Sequence, residues 1–356
     1  MDLDTLSRRA LRFGLDHNSE RDCWMKAPLL SAVVAHGDDA QFAEAQTSLR
    51  RAVATQRSNG NLAYADTVQG LTAGHIRSFT PLASLSAGLG YPLLRAHQRQ
   101  PEPAFVEAAA RQVQALREAP RTRDGGIWAR AEGPELWVDF TYLMGPFLAL
   151  YGQLSGDAAA VDDAFHQFKV HVDHLLDARK GLARHAWCEK PDHYPQSTFW
   201  TRGNAWLVCA GVDLLEIAPD HAAASQVRST VATVLRAMQA HQERSGYFCH
   251  VLDDPRSNLE ASGTLMYAYA VARAVALDVV DTSMLDSARR ALASVAGGVE
   301  ASGKVPGVAV PPGGPGVPFD WTLFGQGFFV LAHHALQAID APPIRTPSPQ
   351  PQQPEK

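Results

Sequence analysis

Leu136-Trp137-Val138-Asp139-Phe140-Thr141-Tyr142-Leu143-Met144-Gly145-Pro146-Phe147-Leu148-Ala149-Leu150-Tyr151 is almost wholly apolar and carries one carboxylate near its start. Read as a helix, it has no solvent face, so it belongs inside a protein. It is too short and too interrupted to span a membrane. A lone Asp on such a helix is costly to bury unless it is paired, neutralised or facing a cavity. Asp139 is therefore the candidate catalytic group, with the flanking loops as walls around it.

Working outward, the chain reads as about twelve helices and little else. The expected spans are Leu3–Leu15, Trp24–Ala35, a third to Arg57, Ile76–His97, a fifth to Glu118, the central stretch, a seventh to Ala178, Gly203–Ile217, a ninth to Gln242, Ala261–Ala276, Ser283–Ala296 and Gly325–Ile339. Gly, Pro and Asp turns supply the stop and cap chemistry. Short turns such as Gly37-Asp38-Asp39 and Ser155-Gly156-Asp157 alternate with long loops at roughly 58–75, 119–134, 179–202, 244–260 and 297–324. Long loops in compact domains are usually functional. Alternation puts them all at one end, with the more apolar helices entered from them. Six such pairs closed in a ring make an all-α (α/α)6 barrel. An open solenoid has the same alternation, so closure rests on the number of pairs.

The expected organisation is a single barrel domain over 1–341 and a disordered Pro/Gln-rich tail over 342–356. Hydrophobic residues make up 46% of the chain and charged ones 19%, enough for a sizeable core. A formal net charge of −5 with no Lys/Arg run argues against a nucleic-acid partner. No apolar segment follows a basic N-terminus, so no signal peptide and a cytoplasmic location are expected, with no membrane partner. Cys23, Cys188, Cys209 and Cys249 form no CxxC pair and no zinc spacing, and read as buried thiols.

Polar and aromatic residues gather at the starts of the more apolar helices. Trp24 and Lys26 open the second, and His75 and Arg77 precede the fourth. Trp128, Trp137 and Asp139 sit at the sixth. His185, Trp187, His193, Trp200, Arg202, Asn204 and Trp206 crowd the eighth. Tyr247, His250 and Glu260 precede the tenth, while Asp320, Trp321 and Gln326 lie at the twelfth. All seven tryptophans fall in this set. Aromatic faces with a few polar groups suit a sugar, whose C–H faces stack while its hydroxyls hydrogen-bond. Helix N-termini aimed at one cavity favour an anionic ligand. Each residue also has a plainer role open to it. Asp139 could be a first-turn carboxylate, His185 a loop histidine, Arg202 a loop ion pair, Trp200 and Trp206 core, Glu260 a helix cap and Asp320 a turn residue.

Pro120-Arg121-Thr122-Arg123-Asp124-Gly125-Gly126-Ile127-Trp128, followed by Trp137 to Ala149, resembles the unsaturated glucuronyl/rhamnogalacturonyl hydrolases, glycoside hydrolase families 88 and 105. Gly181-Leu182-Ala183-Arg184-His185-Ala186-Trp187, Phe199-Trp200-Thr201-Arg202-Gly203-Asn204-Ala205-Trp206 and Glu260-Ala261-Ser262-Gly263-Thr264-Leu265-Met266-Tyr267-Ala268-Tyr269-Ala270 resemble further segments of that family in the same order. The resemblance runs from Trp24 to about Ala335. It implies an (α/α)6 barrel that removes a 4,5-unsaturated uronic acid from lyase-generated oligosaccharides. In this chemistry an Asp protonates C4 of the enol ether, water adds at C5, and the hemiketal opens to expel the aglycone. By motif Asp139 takes the acid/base role. The substrate-binding set is His185, Arg202, Trp200, Trp206, Asn204, Trp137, His75 and Trp24. No metal or cofactor is implied. One position departs: the second Asp usual in the family falls at Gly74, in Gly74-His75-Ile76-Arg77-Ser78-Phe79, and Asp66 lies upstream in the same loop.

Three other functions remain open on the residues. Exo-hydrolysis of saturated glucuronides needs two carboxylates flanking the bond, Asp139 with Asp66, Glu260 or Asp320. A non-catalytic sugar-binding barrel would need neither. An epimerase would want paired histidines, for which His185 and His193 are the available pair.

Overall fold

The computed structural model describes residues 2–18, 24–62, 82–311 and 316–340, and over these the predicted helices form twelve segments. They are α1 (Leu3–Asp16), α2 (Lys26–His36), α3 (Asp39–Ala54), α4, α5 (Pro103–Glu118), α6 (Phe140–Ser155), α7 (Ala158–Leu175), α8 (Thr201–Ile217), α9 (Ala224–Gln239), α10 (Ala261–Ala276), α11 (Leu285–Ala296) and α12 (Leu323–Asp340). The segment α4 is broken, running as Ala83–Ser86, a 3-10 turn over Ala87–Leu89, and Gly90–Arg99. Local chemistry sets the ends. Asp38 and Gln41 form a reciprocal capping box on α3, Asp157 caps α7, and Gly156 closes α6 at φ 75°.

Two kinds of helix result. In α5 the buried residues Phe105, Ala108, Ala109, Gln112, Val113 and Leu116 follow one helical stripe, so its other face meets water. In α8 every residue from Thr201 to Leu215 is buried. The even-numbered helices pack in succession, α2 on α4, α4 on α6, and so on to α12, and α12 packs back on α2. The odd-numbered helices lie outside, each against an inner one. The ring is therefore closed. This is the (α/α)6 barrel, and the solenoid alternative falls.

The sequence reading differs from the structure in two places. The central helix begins at Phe140, not Leu136, because Glu135–Trp137 is a strand. Among the described residues, nine short strands lie in or beside the long loops where no strand was expected: β1 (Glu135–Trp137), β2 (Leu176–Asp177), β3 (Leu182–Ala183), β4 (Ala186–Cys188), β5 (His193–Gln196), β6 (Phe248–Cys249), β7 (Leu259–Glu260), β8 (Val308–Ala309) and β9 (Phe319–Asp320). Strands β1, β4 and β5 form one sheet, and the others pair as β2–β3, β6–β7 and β8–β9. Loops that fold over a barrel mouth bury backbone, and buried backbone must be hydrogen-bonded. The predicted start of the fourth helix, and the tail from Pro342, lie outside the described residues. Among the described residues, no helix is long and apolar enough to cross a membrane.

Closure of the ring depends on close approach. A Cβ on Gly327 of α12 would lie 2.5 Å from the backbone of Pro28 and Leu29 in α2. Deeper in the barrel, Asp213 of α8 is buried and its Oδ1 accepts a hydrogen bond from the Tyr269 hydroxyl of α10 at 2.6 Å. Burial pushes this carboxyl up to about 6, while Tyr269 and the more distant Arg273 and Arg95 oppose the rise.

Two outcomes follow. Gly327→Ala should lower stability by about 1–3 kcal/mol in thermal unfolding, whereas Gly133→Ala, with open space around its Cβ, should stay within about 0.5 kcal/mol. Asp213 holds a proton in the folded state over a range where the unfolded chain has released it. Its contribution is complete below the ordinary value of 3.8 and is lost as pH rises through about 6. Urea midpoints should record a fall on the order of 3 kcal/mol across that window, and Asp213→Asn should flatten it.

Candidate active site

The pairing of β1 with β4 sets Trp137 opposite Ala186. The ladder continues one step further, with the Val138 amide donating to the His185 carbonyl at 3.0 Å. Asp139 and His185 therefore emerge side by side, and His185 Nε2 lies 3.1 Å from Asp139 Oδ2. Asp139 precedes the first residue of α6, yet its side chain makes no cap bond to that helix. Its backbone carbonyl takes the Tyr142 and Leu143 amides instead. The carboxylate stays 19% exposed and the imidazole 13%, so both reach the barrel mouth.

Aromatic rings surround the pair. Trp137 meets His185 edge-on at 5.6 Å, and Trp200 lies 4.7 Å from the same imidazole. Trp137 is held by its indole N–H, which donates to Glu135 Oε2 at 2.8 Å, while Arg130 pairs with Glu135 Oε1 at 2.9 Å. On the far side Trp24 stacks on Phe324 at 5.5 Å. Trp206 is buried beneath, against Tyr142, Phe328 and Phe324.

Arg202, in the first turn of α8, is 1% exposed, and its partner Glu260 is 0% exposed. The guanidinium carbon lies 4.4 Å from the Trp200 ring and 4.9 Å from the Phe324 ring. Nη1 donates to the Ala309 carbonyl at 2.9 Å and, at longer range, reaches Ser262 and Glu260. Nε is buried and finds no acceptor among the described residues. Burial draws the arginine's pKa down, with Glu260 and Asp139 opposing. Glu260 caps α10 through Gly263 N–H at 2.7 Å and also accepts from Ser262 and the Ala309 amide.

The structure sorts the remaining predicted residues. Asn204 spends its amide on the backbone: its oxygen accepts the Ala183 N–H at 2.7 Å, and its nitrogen donates to the Ala183 and Trp200 carbonyls. It straps the β3 loop to α8. Gln326 is likewise consumed by Val305, Gly303 and Ala10. Trp187 stacks on His174, and Trp321 packs on Phe13 and His17, so these two tryptophans serve other contacts. Asp320 pairs with Lys304 at 2.8 Å. His193 is exposed and bonded to the Pro191 carbonyl. Asp66, Gly74, His75 and Arg77 lie outside the described residues.

Two contributors had no role assigned from sequence. Phe324 supplies one face of the Arg202 sandwich. His250 lies edge-on to Trp200 at 6.1 Å and to Phe319 at 5.5 Å. The available signal was its place in the loop before α10, the same position from which the other site residues enter.

Residues 44–337 match the model of Glycosyl Hydrolase Family 88. The unsaturated rhamnogalacturonyl hydrolase YesR of Bacillus subtilis is 27% identical over 201 residues, which is 54% of this chain and 58% of that protein's length. A possible member of family GH105 from Klebsiella pneumoniae superposes with a TM-score of 0.78 at 21% identity, over 95% of this chain and 93% of that one. The unsaturated glucuronyl hydrolase of Bacillus sp. GL1 gives 0.72 at 14% identity, over 95% and 97%. At those identities the solved structures speak for the fold. With a helical ring closed as above and the family model spanning most of it, the chain belongs to glycosyl hydrolase family 88.

Proposed function

We propose that this protein removes a 4,5-unsaturated uronic acid from the non-reducing end of lyase-generated oligosaccharides by hydrating its enol ether. The observation that carries the reading is the accessible Asp139–His185 pair beside a buried arginine with an orphaned donor. In an arginine, Nε and Nη2 form one edge of the guanidinium. Nη1 of Arg202 is taken by protein, which leaves that edge to accept a carboxylate in a bidentate fork. The partly exposed rings of Trp137 and Trp24 supply stacking surface for the sugar.

In this reading Asp139 delivers a proton to C4 of the C4=C5 bond. Positive charge develops at C5 and is shared with the ring oxygen. Water attacks C5 and returns its proton to Asp139, so the acid is regenerated. The hemiketal then opens and the aglycone leaves. His185 orients the Asp139 carboxyl through the 3.1 Å contact, and Arg202 anchors the conjugated carboxylate. One carboxyl acts as acid and then as base.

The two-carboxylate alternative meets an obstacle in the described residues. Glu260 is fully buried and engaged by four groups, and Asp320 is paired with Lys304. The third candidate partner, Asp66, lies outside the described residues. No observation favours a pure binding protein, which has no use for an accessible acid clasped by histidine.

The test is loss of ultraviolet absorbance of the conjugated double bond over a panel of lyase-generated unsaturated disaccharides. Wild-type protein should bleach at least one member, and Asp139→Asn should lower kcat by about 10²–10⁴-fold. Absence of bleaching throughout the panel, with glucuronic acid released from a saturated glycoside, would overturn the proposal.

A further inference from the structure

Among the described residues, His250 is a titratable side chain near Arg202 for which the reaction above has no task. Its backbone is pinned on both sides. The His250 amide donates to the Asn258 carbonyl at 2.6 Å, and the His250 carbonyl accepts the amide of Thr201, the residue before Arg202, at 3.0 Å. The ring is held edge-on between Trp200 and Phe319. Its Nδ1 is buried and has no hydrogen-bond partner among the described residues. The same holds for Nε of Arg202 and Nε1 of Trp200. Three orphaned nitrogens thus belong to one cluster built around the Trp200 ring. Leaving buried polar groups unsatisfied costs about 1–3 kcal/mol each, so such a cluster is the mark of a ligand's place rather than of a finished core.

We infer that His250 is a specificity-determining residue, donating a hydrogen bond from Nδ1 to the anionic group of the sugar that Arg202 holds. The inference rests on the reading of Arg202 as the carboxylate anchor. Electrostatics suit the role. The charged and titratable groups facing His250 are Glu260, Arg202 and His185, and burial, more than any of them, pulls its pKa below the ordinary 6.5. At neutral pH the imidazole is uncharged, so it offers an N–H without adding a second positive charge beside the guanidinium. A carboxylate with a bidentate arginine on one edge keeps lone pairs free for a further donor. A neutral ester at the same position offers no charge for either group to discriminate.

The test reads binding and so does not depend on turnover. Intrinsic tryptophan fluorescence would be titrated with methyl β-glucuronide and with its carboxyl methyl ester, on wild type, His250→Phe and His250→Asn. Wild type should prefer the acid. His250→Phe keeps an aromatic ring without the N–H, and should weaken acid binding about tenfold while leaving the ester within about twofold. His250→Asn places an amide nitrogen near the Nδ1 position and should recover most of the loss. Equal loss on acid and ester, no loss on either, or no preference for the acid in wild type would each overturn the inference. The bleaching assay stands apart. Failure there with the acid preference intact would leave an anionic-sugar site with different chemistry.

Discussion

A helix buried on nearly every side has to be covered all round, as α8 is from Thr201 to Leu215, and the six inner helices meet that need together. The covering is mutual: each inner helix is flanked by two others and backed by an outer one, and the ring closes where Gly327 lets α12 approach the backbone of Pro28 and Leu29. Everything at the site descends from that arrangement. Because each pair is joined by a short turn, the inner helices all begin at the same end, and the long loops collect there. Those loops fold over the barrel mouth, where buried amides must find hydrogen-bond partners. They pair as short strands, and the pairing of β1 with β4 is what brings Asp139, on one loop, within 3.1 Å of His185 on another.

The second organising element is a charge taken almost wholly out of water. Burying a guanidinium is costly unless it is paired and hydrogen-bonded. Arg202 is given both, on one side only. Glu260, Ser262 and Ala309 hold its Nη1 side, and Trp200 and Phe324 cover its two faces. The groups that hold it come from α10 and from the loop before α12, so the same contacts stitch three loops together. Glu260 serves the cap of α10 and the arginine at once. A group held this firmly, with a buried Nε still unsatisfied, has little freedom to rearrange.

Much of the fold was legible along the chain. Apolar runs of helical length, the Gly/Pro/Asp stops and the alternation of short and long links named twelve helices and their order, and α10 matched its expected bounds at Ala261–Ala276. The strands were not legible. Two- and three-residue pairings such as Phe248–Cys249 with Leu259–Glu260 have no periodicity of their own, and they form only because the loops are pressed together. The same limit explains why Leu136 and Trp137, read as helix, are strand: apolar residues say that a segment is buried, and not which hydrogen bonds its backbone makes.

For the site, residue type and spacing singled out Asp139, His185, Arg202, Trp200, Trp137 and Trp24, and the structure brings these toward one end of the barrel. Asn204 and Gln326 carry the same polar signal, yet each is used up by backbone groups that are distant in sequence. Phe324 carried no distinguishing signal and His250 only its place before α10, because what matters about them is a ring 4.9 Å from one guanidinium and 6.1 Å from one indole. By itself the sequence determined which segments must be buried, where they stop and which chemical groups enter at the mouth, since these are properties of local composition. Only the tertiary structure decided which donors are spent and which are left over, because a hydrogen bond's partner is chosen by where the ring's closure places it.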